Sequence, residues 1–197
     1  MTFTSNFLQN INTTISKLEI DNIEKSVQIL SKLHNRNGRL FVIGVGGSAG
    51  NASHAVNDFR KLCNIEAYSP VDNISEITAK TNDDGFETIF DSYLKLSKLS
   101  RKDVLMVFSV GGGNRKKKIS INIVNAIKFA KKKKCKIISI VGKSDGYAYE
   151  NSNVSIHIKV ENKNLLTPIS ETFQALVWHL LVTHPKLKKK FNYLVSI

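Results

Sequence analysis

The chain has 197 residues, of which 42% are hydrophobic, so its length and composition suit one folded domain rather than a disordered segment. Its formal net charge of +13 means that an anionic partner must be considered, whereas two isolated cysteines exclude a disulfide framework or a zinc-finger cluster. We identify no apolar stretch long enough to cross a bilayer and no secretory signal pattern, so we expect a cytoplasmic protein without a membrane partner.

The excess of basic residues is concentrated in three lysine-rich runs, at residues 115–118, 128–136 and 186–190. Solvated helix faces and ends are the simpler interpretation of these runs. A nucleic-acid surface usually adds aromatic residues, and Phe129 is the one aromatic residue within them. We therefore expect no nucleic-acid partner.

The spacing of apolar residues predicts the order of the elements. Leu, Ile and Val recur every three or four residues through residues 1–36, which predicts N-terminal helices. Through residues 37–184, short apolar runs alternate with glycine-rich turns and helical segments, and the runs read LFVIG, DVLMVFS, KIISIVG and NVSIHIKV. This alternation predicts an α/β fold with a parallel sheet covered on both faces. Residues 185–197 form a tail, and a single domain accounts for the chain.

Two glycine-rich turns follow predicted strands, GVGGSAG at residues 44–50 and SVGGGN at residues 109–114. A turn of this kind that opens a helix offers backbone N–H groups and the positive end of the helix dipole to an anion. The first turn also has the spacing of a dinucleotide fingerprint, with Glu66 near the position of a ribose-binding acid. Turn geometry without any ligand is a third interpretation. Two such turns at neighbouring strand ends favour a small phosphosugar, and we expect no nicotinamide cofactor.

Two pairs of potential metal ligands lie on predicted helices. His54 and Asp58 are four residues apart, and Glu171 and His179 are eight apart, so each pair shares one helix face. Two imidazoles and two carboxylates suit a divalent ion such as zinc. Taken singly, each residue also has an ordinary surface or core role as its explanation.

The stretches GVGGSAGNASHAVNDF, TNDDGFETIF, DVLMVFSVGGGN and SETFQALVWHLL resemble the sugar isomerase (SIS) domain, and within it the phosphoheptose isomerases. The resemblance covers about residues 5–184. It implies a three-layer αβα sandwich with a five-stranded parallel sheet of the flavodoxin-like type. It also implies a homotetramer assembled through the N-terminal helices, with active sites between subunits.

The implied reaction converts sedoheptulose 7-phosphate to D-glycero-D-manno-heptose 7-phosphate through an enediol, for the heptose of lipopolysaccharide or capsule. By the same resemblance, a zinc ion is bound by His54, Asp58, Glu171 and His179, and Asp58 and His179 transfer the protons. The implied substrate-binding residues are Gly46, Gly47, Ser48, Asn51, Asn82, Asp83, Ser109, Gly111, Gly112, Gly113, Asn114 and Glu171.

The chain also departs from the family's pattern. Asp58 stands where a Glu is expected, Glu171 where an amide is expected, and Val45 where an Asn is expected. The SVGGGN turn lacks most hydroxyl groups of the family's phosphate loop. These differences indicate a divergent branch, and the alternative to an enzyme is a non-catalytic phosphosugar-binding or regulatory protein.

Overall fold

The sheet at the centre of the fold is five-stranded and parallel throughout. The computed structural model describes residues 2–189. The strands cross the sheet in the order β2-β1-β3-β4-β5, the order of flavodoxin-like folds. Their bounds are β1 (Leu40–Ile43), β2 (Ala67–Tyr68), β3 (Val104–Ser109), β4 (Lys136–Val141) and β5 (Val154–His157).

Helices cover both faces of this sheet, which confirms the predicted three-layer α/β class. Their bounds are α1 (Phe3–Ile15), α2 (Ile20–Asn35), α3 (Gly47–Cys63), α4 (Ile74–Asp84), α5 (Ile89–Leu96), α6 (Ile121–Lys132), α7 (Tyr147–Asn151) and α8 (Leu166–Thr183). One hydrophobic cluster joins α2, α3 and α8 to one face of the sheet, and a second joins α5, α6 and α7 to the other face.

The uninterrupted apolar runs of the strands follow from burial on both faces. In β3, Met106 and Phe108 point into the cluster under α3 and α8, whereas Leu105 and Val107 point into the cluster under α5 and α6. All six residues of β3 are buried. Alternation with polar residues would place a polar side chain in one of the two cores, and a parallel sheet between helix layers therefore selects against it.

The two terminal segments are less separate from the core than their predicted roles suggest. Val27, Leu30 and Leu33 of α2 are fully buried in the first hydrophobic cluster. Leu187, in the segment predicted as a tail, is also buried. The part of that tail at residues 190–197 lies outside the described residues.

The segment Lys163–Thr183, which includes α8, could span a membrane by length and hydropathy among residues 2–189, and half of its apolar window is buried inside the protein. Core helices commonly pass the same test. The buried face of α8 contains Phe173, Val177 and Trp178, which belong to the hydrophobic cluster that includes α3.

Asp103, directly before β3, is the hub of a buried polar cluster. Its carboxylate accepts hydrogen bonds from the backbone N–H and side chain of Arg39, at 3.0 to 3.2 Å. It also accepts hydrogen bonds from the backbone N–H and hydroxyl of Ser100, at 2.8 and 3.1 Å. Burial raises the pKa of Asp103, but the hydrogen bonds from Arg39 and Ser100 outweigh it and lower the pKa below 3.8.

We predict that Asp103→Asn lowers the free energy of unfolding at pH 7 by about 2–4 kcal/mol, because it removes the charge that pairs with Arg39 and misaligns the acceptors. Because the folded-state pKa of Asp103 is depressed, its stabilisation is present above the unfolded-state pKa and is lost as the pH falls through the folded-state value. Urea denaturation at pH 7 and below pH 4 measures both effects. The exposed Glu161→Gln variant is the control, with an expected loss under about 1 kcal/mol, and equal losses in the two variants would contradict the prediction.

Candidate active site

The first glycine turn joins β1 to α3 and is shaped by glycine-specific backbone geometry. Gly46 has φ 64° and ψ −130°, a conformation that residues with a Cβ rarely adopt. Helix α3 begins at Gly47, and a Cβ atom there would overlap the carboxylate of Glu171 on α8. The N-terminal end of α3 favours an anion, and this end already faces a carboxylate of the chain itself. Ser48 in the same turn of helix is buried.

The second glycine turn follows β3 and uses its own polar atoms to hold its shape. The hydroxyl oxygen of Ser109 accepts a hydrogen bond from the backbone N–H of Gly112, at 2.9 Å. The carbonyl oxygens of Gly112 and Gly113 accept hydrogen bonds from the first two N–H groups of α7, at 2.8 and 2.9 Å. The side-chain oxygen of Asn114 accepts one from the backbone N–H of Lys117, at 2.9 Å.

A short hairpin at residues 114–119 connects the second turn to α6. Two backbone hydrogen bonds between Asn114 and Ile119, of 2.8 and 3.0 Å, close it. Ser120 follows in a left-handed conformation with φ 47°, and α6 then begins at Ile121. We refer to residues 114–119 as the 114–119 hairpin.

A cleft of about 690 Å³ lies beside this hairpin, at the carboxyl edge of the sheet. The pairing of Ile43 with Val107 brings the ends of β1 and β3 together, so the connections that follow both strands border the same space. One side of the cleft comes from the first turn, and the other comes from the hairpin and α6. Its lining residues are Val45, Phe86, Glu87, Arg115, Lys118, Ser120, Ile121, Asn122, Val124, Asn125 and Lys128.

None of the predicted substrate-binding residues is among those that line this cleft. Asn82 and Asp83 lie on α4 and hydrogen-bond to each other at 2.8 Å, and Asp83 borders a separate cavity between α4 and α5. Asn51 instead links α3 to α8, since its amide donates to the backbone oxygen of Glu171 at 2.9 Å and to Gln174 Oε1 at 3.1 Å. The side-chain oxygens of Ser109 and Asn114 are directed into the second turn itself.

The sequence prediction missed the polar residues that do line the cleft. Arg115 and Lys118 belong to a lysine-rich run and are exposed, as the solvated-surface interpretation predicts, but they also border this cleft. Ser120 stands directly before a helix, the position at which serine commonly caps a helix N-terminus. Asn122 is almost fully buried, and its Oδ1 accepts a hydrogen bond from the N–H of Ile123 at 2.8 Å. The sequence feature that could have identified these cleft residues is a serine that follows a basic run and precedes an apolar helix.

His54, Asp58 and His179 form a cluster in which one potential ligand atom of each lies within 4.8 Å of the others. His54 and Asp58 come from α3 and His179 from α8. The Nδ1 atom of His179 lies 2.8 Å from the backbone oxygen of Ala175, so a proton on Nδ1 leaves Nε2 free for a ligand or a proton. The two imidazole rings are 5.6 Å apart, and both contact the ring of Trp178.

Glu171 does not belong to this cluster. It lies two helical turns before His179 on α8, with its carboxylate at Gly47 rather than at His54. Glu171 and His179 share one face of α8, as predicted. Helices α3 and α8 pack side by side, however, so that Glu171 lies at the start of α3 and His179 lies at its middle. The structure thus brings together three of the four predicted metal ligands.

The cluster and the cleft are separate places on the described part of the chain. His54 is seven residues beyond the start of α3, which corresponds to about 10 Å along the helix. No residue belongs to both the cluster and the cleft lining within residues 2–189. His54 and His179 are exposed and Asp58 is half-buried, so the cluster opens to the outside of this chain.

Comparison with known proteins identifies the family. Residues 5–142 match the model of the SIS domain family. The phosphoheptose isomerase of Buchnera aphidicola subsp. Schizaphis graminum is 30% identical over 191 residues, which cover 95% of this chain and 91% of the relative. The chain therefore belongs to the SIS domain family, and the prediction from its motifs is confirmed.

Solved structures show the same fold. A phosphoheptose isomerase from Neisseria gonorrhoeae superposes with a TM-score of 0.78 at 19% identity, covering 91% of this chain and 93% of that one. A phosphoheptose isomerase from Francisella tularensis gives a TM-score of 0.77 at 22% identity, covering 91% and 92%. The five-stranded parallel sheet and its helical layers are thus those of phosphoheptose isomerase structures.

Proposed function

We propose that this chain is a phosphoheptose isomerase that converts sedoheptulose 7-phosphate to D-glycero-D-manno-heptose 7-phosphate in the cytoplasm. The reaction would supply heptose for lipopolysaccharide or capsule. The observation that carries the proposal is the cluster of His54, Asp58 and His179 on a chain with phosphoheptose isomerases among its relatives over nearly its full length.

The cluster has the groups that an aldose–ketose isomerisation needs. A base removes a proton from the carbon beside the carbonyl, a cis-enediol forms, and the proton returns to the neighbouring carbon. We assign the carbon proton transfer to Asp58. His179 serves the oxygen or the second proton transfer, because its Nδ1 contact with the backbone of Ala175 orients Nε2 toward the cluster.

The same three side chains fit a zinc ion. Two imidazole nitrogens and one carboxylate oxygen are a donor set of catalytic zinc sites, which leave a position open for water or substrate. Bound zinc would polarise the substrate carbonyl. Glu171 is not required for this set, and its carboxylate instead lies against the start of α3.

We further propose a homotetramer in which the cluster of one chain faces the cleft of a neighbouring chain. Two observations support a site shared between subunits. The cluster is exposed and lies apart from the cleft of its own chain. Helix α1 also exposes Phe3, Leu8 and Ile15, at 74%, 57% and 48%, and apolar side chains of this size at a surface are typical of a protein interface.

The test is turnover of sedoheptulose 7-phosphate by the full chain, followed by NMR, with the metal removed by a chelator and then restored as zinc. We expect turnover in the zinc-restored protein, and we expect zinc alone to raise the melting temperature of the chelated protein. Stabilisation by sedoheptulose 7-phosphate without any turnover would overturn the enzymatic proposal in favour of a phosphosugar-binding protein. An equal response of His54→Gln and wild type to zinc would remove the metal assignment.

A further inference from the structure

The 114–119 hairpin carries four consecutive basic residues, and two of them face the cleft. Arg115 and Lys118 line it. Arg115 also borders, together with Lys116, a second cavity beside α7, and Lys117 lines none of the cavities described for residues 2–189. The closed Asn114–Ile119 bridge and the left-handed backbone of Lys118, with φ 53°, set this orientation. The run therefore has a cleft side, formed by Arg115 and Lys118, and an outer side, Lys116 and Lys117, that does not line the cleft.

The cations on the cleft side have no acidic partner. Among residues 2–189, neither Arg115 nor Lys118 forms a salt bridge, and the same holds for Lys128, the third cation of the cleft. Glu87 is the one carboxylate in the lining. Three cations and one carboxylate leave a net charge of about +2 at neutral pH, which matches a phosphate dianion.

The other anion sites that the sequence predicted contain no cationic side chain. The N-terminal end of α3 faces the carboxylate of Glu171, which would repel a phosphate placed there. In the second turn, the side-chain oxygens of Ser109 and Asn114 accept hydrogen bonds from the backbone and so hold the turn closed. The first turn therefore contributes Val45 to the wall of the cleft, and neither turn supplies the charge that a phosphate needs.

We propose that Arg115 and Lys118 bind the phosphate group of the substrate and determine the preference of the site for a phosphorylated sugar. This inference rests on the proposed function, since it assigns the anionic end of the same substrate. Arg115 provides planar, paired donors and Lys118 a point charge. On the same side of the cleft, Ser120 and Asn122 flank the first N–H groups of α6, at which a phosphate is favoured.

The test compares Arg115→Gln, Lys118→Asn and their double variant with the matched double variant Lys116→Gln/Lys117→Gln. Asn is used at position 118 because it tolerates a positive φ. Each single change should weaken binding of sedoheptulose 7-phosphate about 10-fold, and the cleft-side double variant should weaken it about 100-fold. The outer-side double variant, with the same loss of charge, should stay within about twofold of wild type. Titration calorimetry and circular dichroism melting give affinity and folding together.

Two further measurements separate this proposal from a merely structural role of the hairpin. In the cleft-side double variant the KM should rise, whereas kcat should stay within about threefold of wild type. The affinity of this variant for unphosphorylated sedoheptulose should be unchanged. Equal affinities of the two double variants for sedoheptulose 7-phosphate would overturn the phosphate assignment while leaving the isomerase intact. If wild type instead binds inorganic phosphate through Arg115 and Lys118 but neither binds nor converts sedoheptulose 7-phosphate, the proposed function fails and the anion site stands.

Discussion

His179→Gln should lower kcat for sedoheptulose 7-phosphate by about 100-fold or more, because an amide cannot exchange a proton near neutral pH. Asp58→Asn should have an effect of the same order, since it removes the carboxylate assigned to the carbon proton transfer. His179 is exposed and Asp58 half-buried, so both variants should fold. The measurements are the rate at saturating substrate and the zinc content after dialysis, which we expect to fall in both variants.

His34→Gln is the control for this prediction, because His34 lies near the end of α2 and outside the cluster. It should retain activity within about twofold, because this half-buried residue lies away from the site. Full activity in His179→Gln or in Asp58→Asn would remove that residue from the mechanism.

Mixing two inactive chains tests whether the site is shared between subunits. Val45→Trp would fill the cleft but leave the cluster intact, whereas His179→Gln has an intact cleft. If each site combines the cleft of one chain with the cluster of another, random assembly of the two variants should restore about a quarter of the sites. Unfolding and refolding them together, with activity as the readout, measures this. Differential tagging shows whether mixed assemblies form. If they form and activity does not recover, both halves of the site lie on one chain.

Gly44→Ala should lower the free energy of unfolding by about 2–3 kcal/mol, because the added methyl group would overpack the junction of β1 and α3. A Cβ at Gly44 would overlap the backbone of Ser48 in the first turn of α3, and backbone cannot rotate away as a side chain can. The helix would have to move relative to β1, so we also expect the wall of the cleft at Val45 to shift and the KM to rise. Urea denaturation and substrate kinetics measure the two effects.

Gly50→Ala, in the first turn of α3, is the matched control. A Cβ at Gly50 meets no heavy atom within 4 Å, and alanine is the better helix former, so this variant should be more stable by about 0.5–1 kcal/mol. The same substitution of alanine for glycine is thus expected to lower the stability at position 44 and to raise it at position 50. Equal stabilities of the two variants would show that the junction can absorb the methyl group.

Much of the fold could be predicted from the sequence because β1, β3 and β4 are buried on both faces and β5 alternates buried apolar residues with half-buried ones. Their apolar runs are long enough to be recognised, and the glycine turns that follow them fall at one edge of the sheet. Strand β2 was not recognised, since Ala67–Tyr68 is only two residues long and its register comes from pairing with Leu40 and Phe41. Helix α4 has no buried residue, and it therefore carries no apolar periodicity that identifies a buried face.

The site was predicted less completely, for a related reason. Helical spacing identifies which residues share a face, and it correctly paired His54 with Asp58. Spacing does not specify how far one helix slides along another. The alignment of α3 with α8, held in part by Asn51, therefore decided that His179 joins the cluster and that Glu171 meets Gly47.

The amino-acid sequence by itself determined the family, the layered fold and the residue types of the His–Asp cluster, because these depend on local periodicity and on motifs contiguous in the chain. Only the tertiary structure decided which side of the basic run faces the cleft and that the cleft lies apart from the cluster. Both depend on backbone conformations and helix packing between residues far apart in the chain. The physical reason is that periodicity specifies the direction of a side chain relative to its own helix, whereas the distance between two side chains depends on how those helices pack.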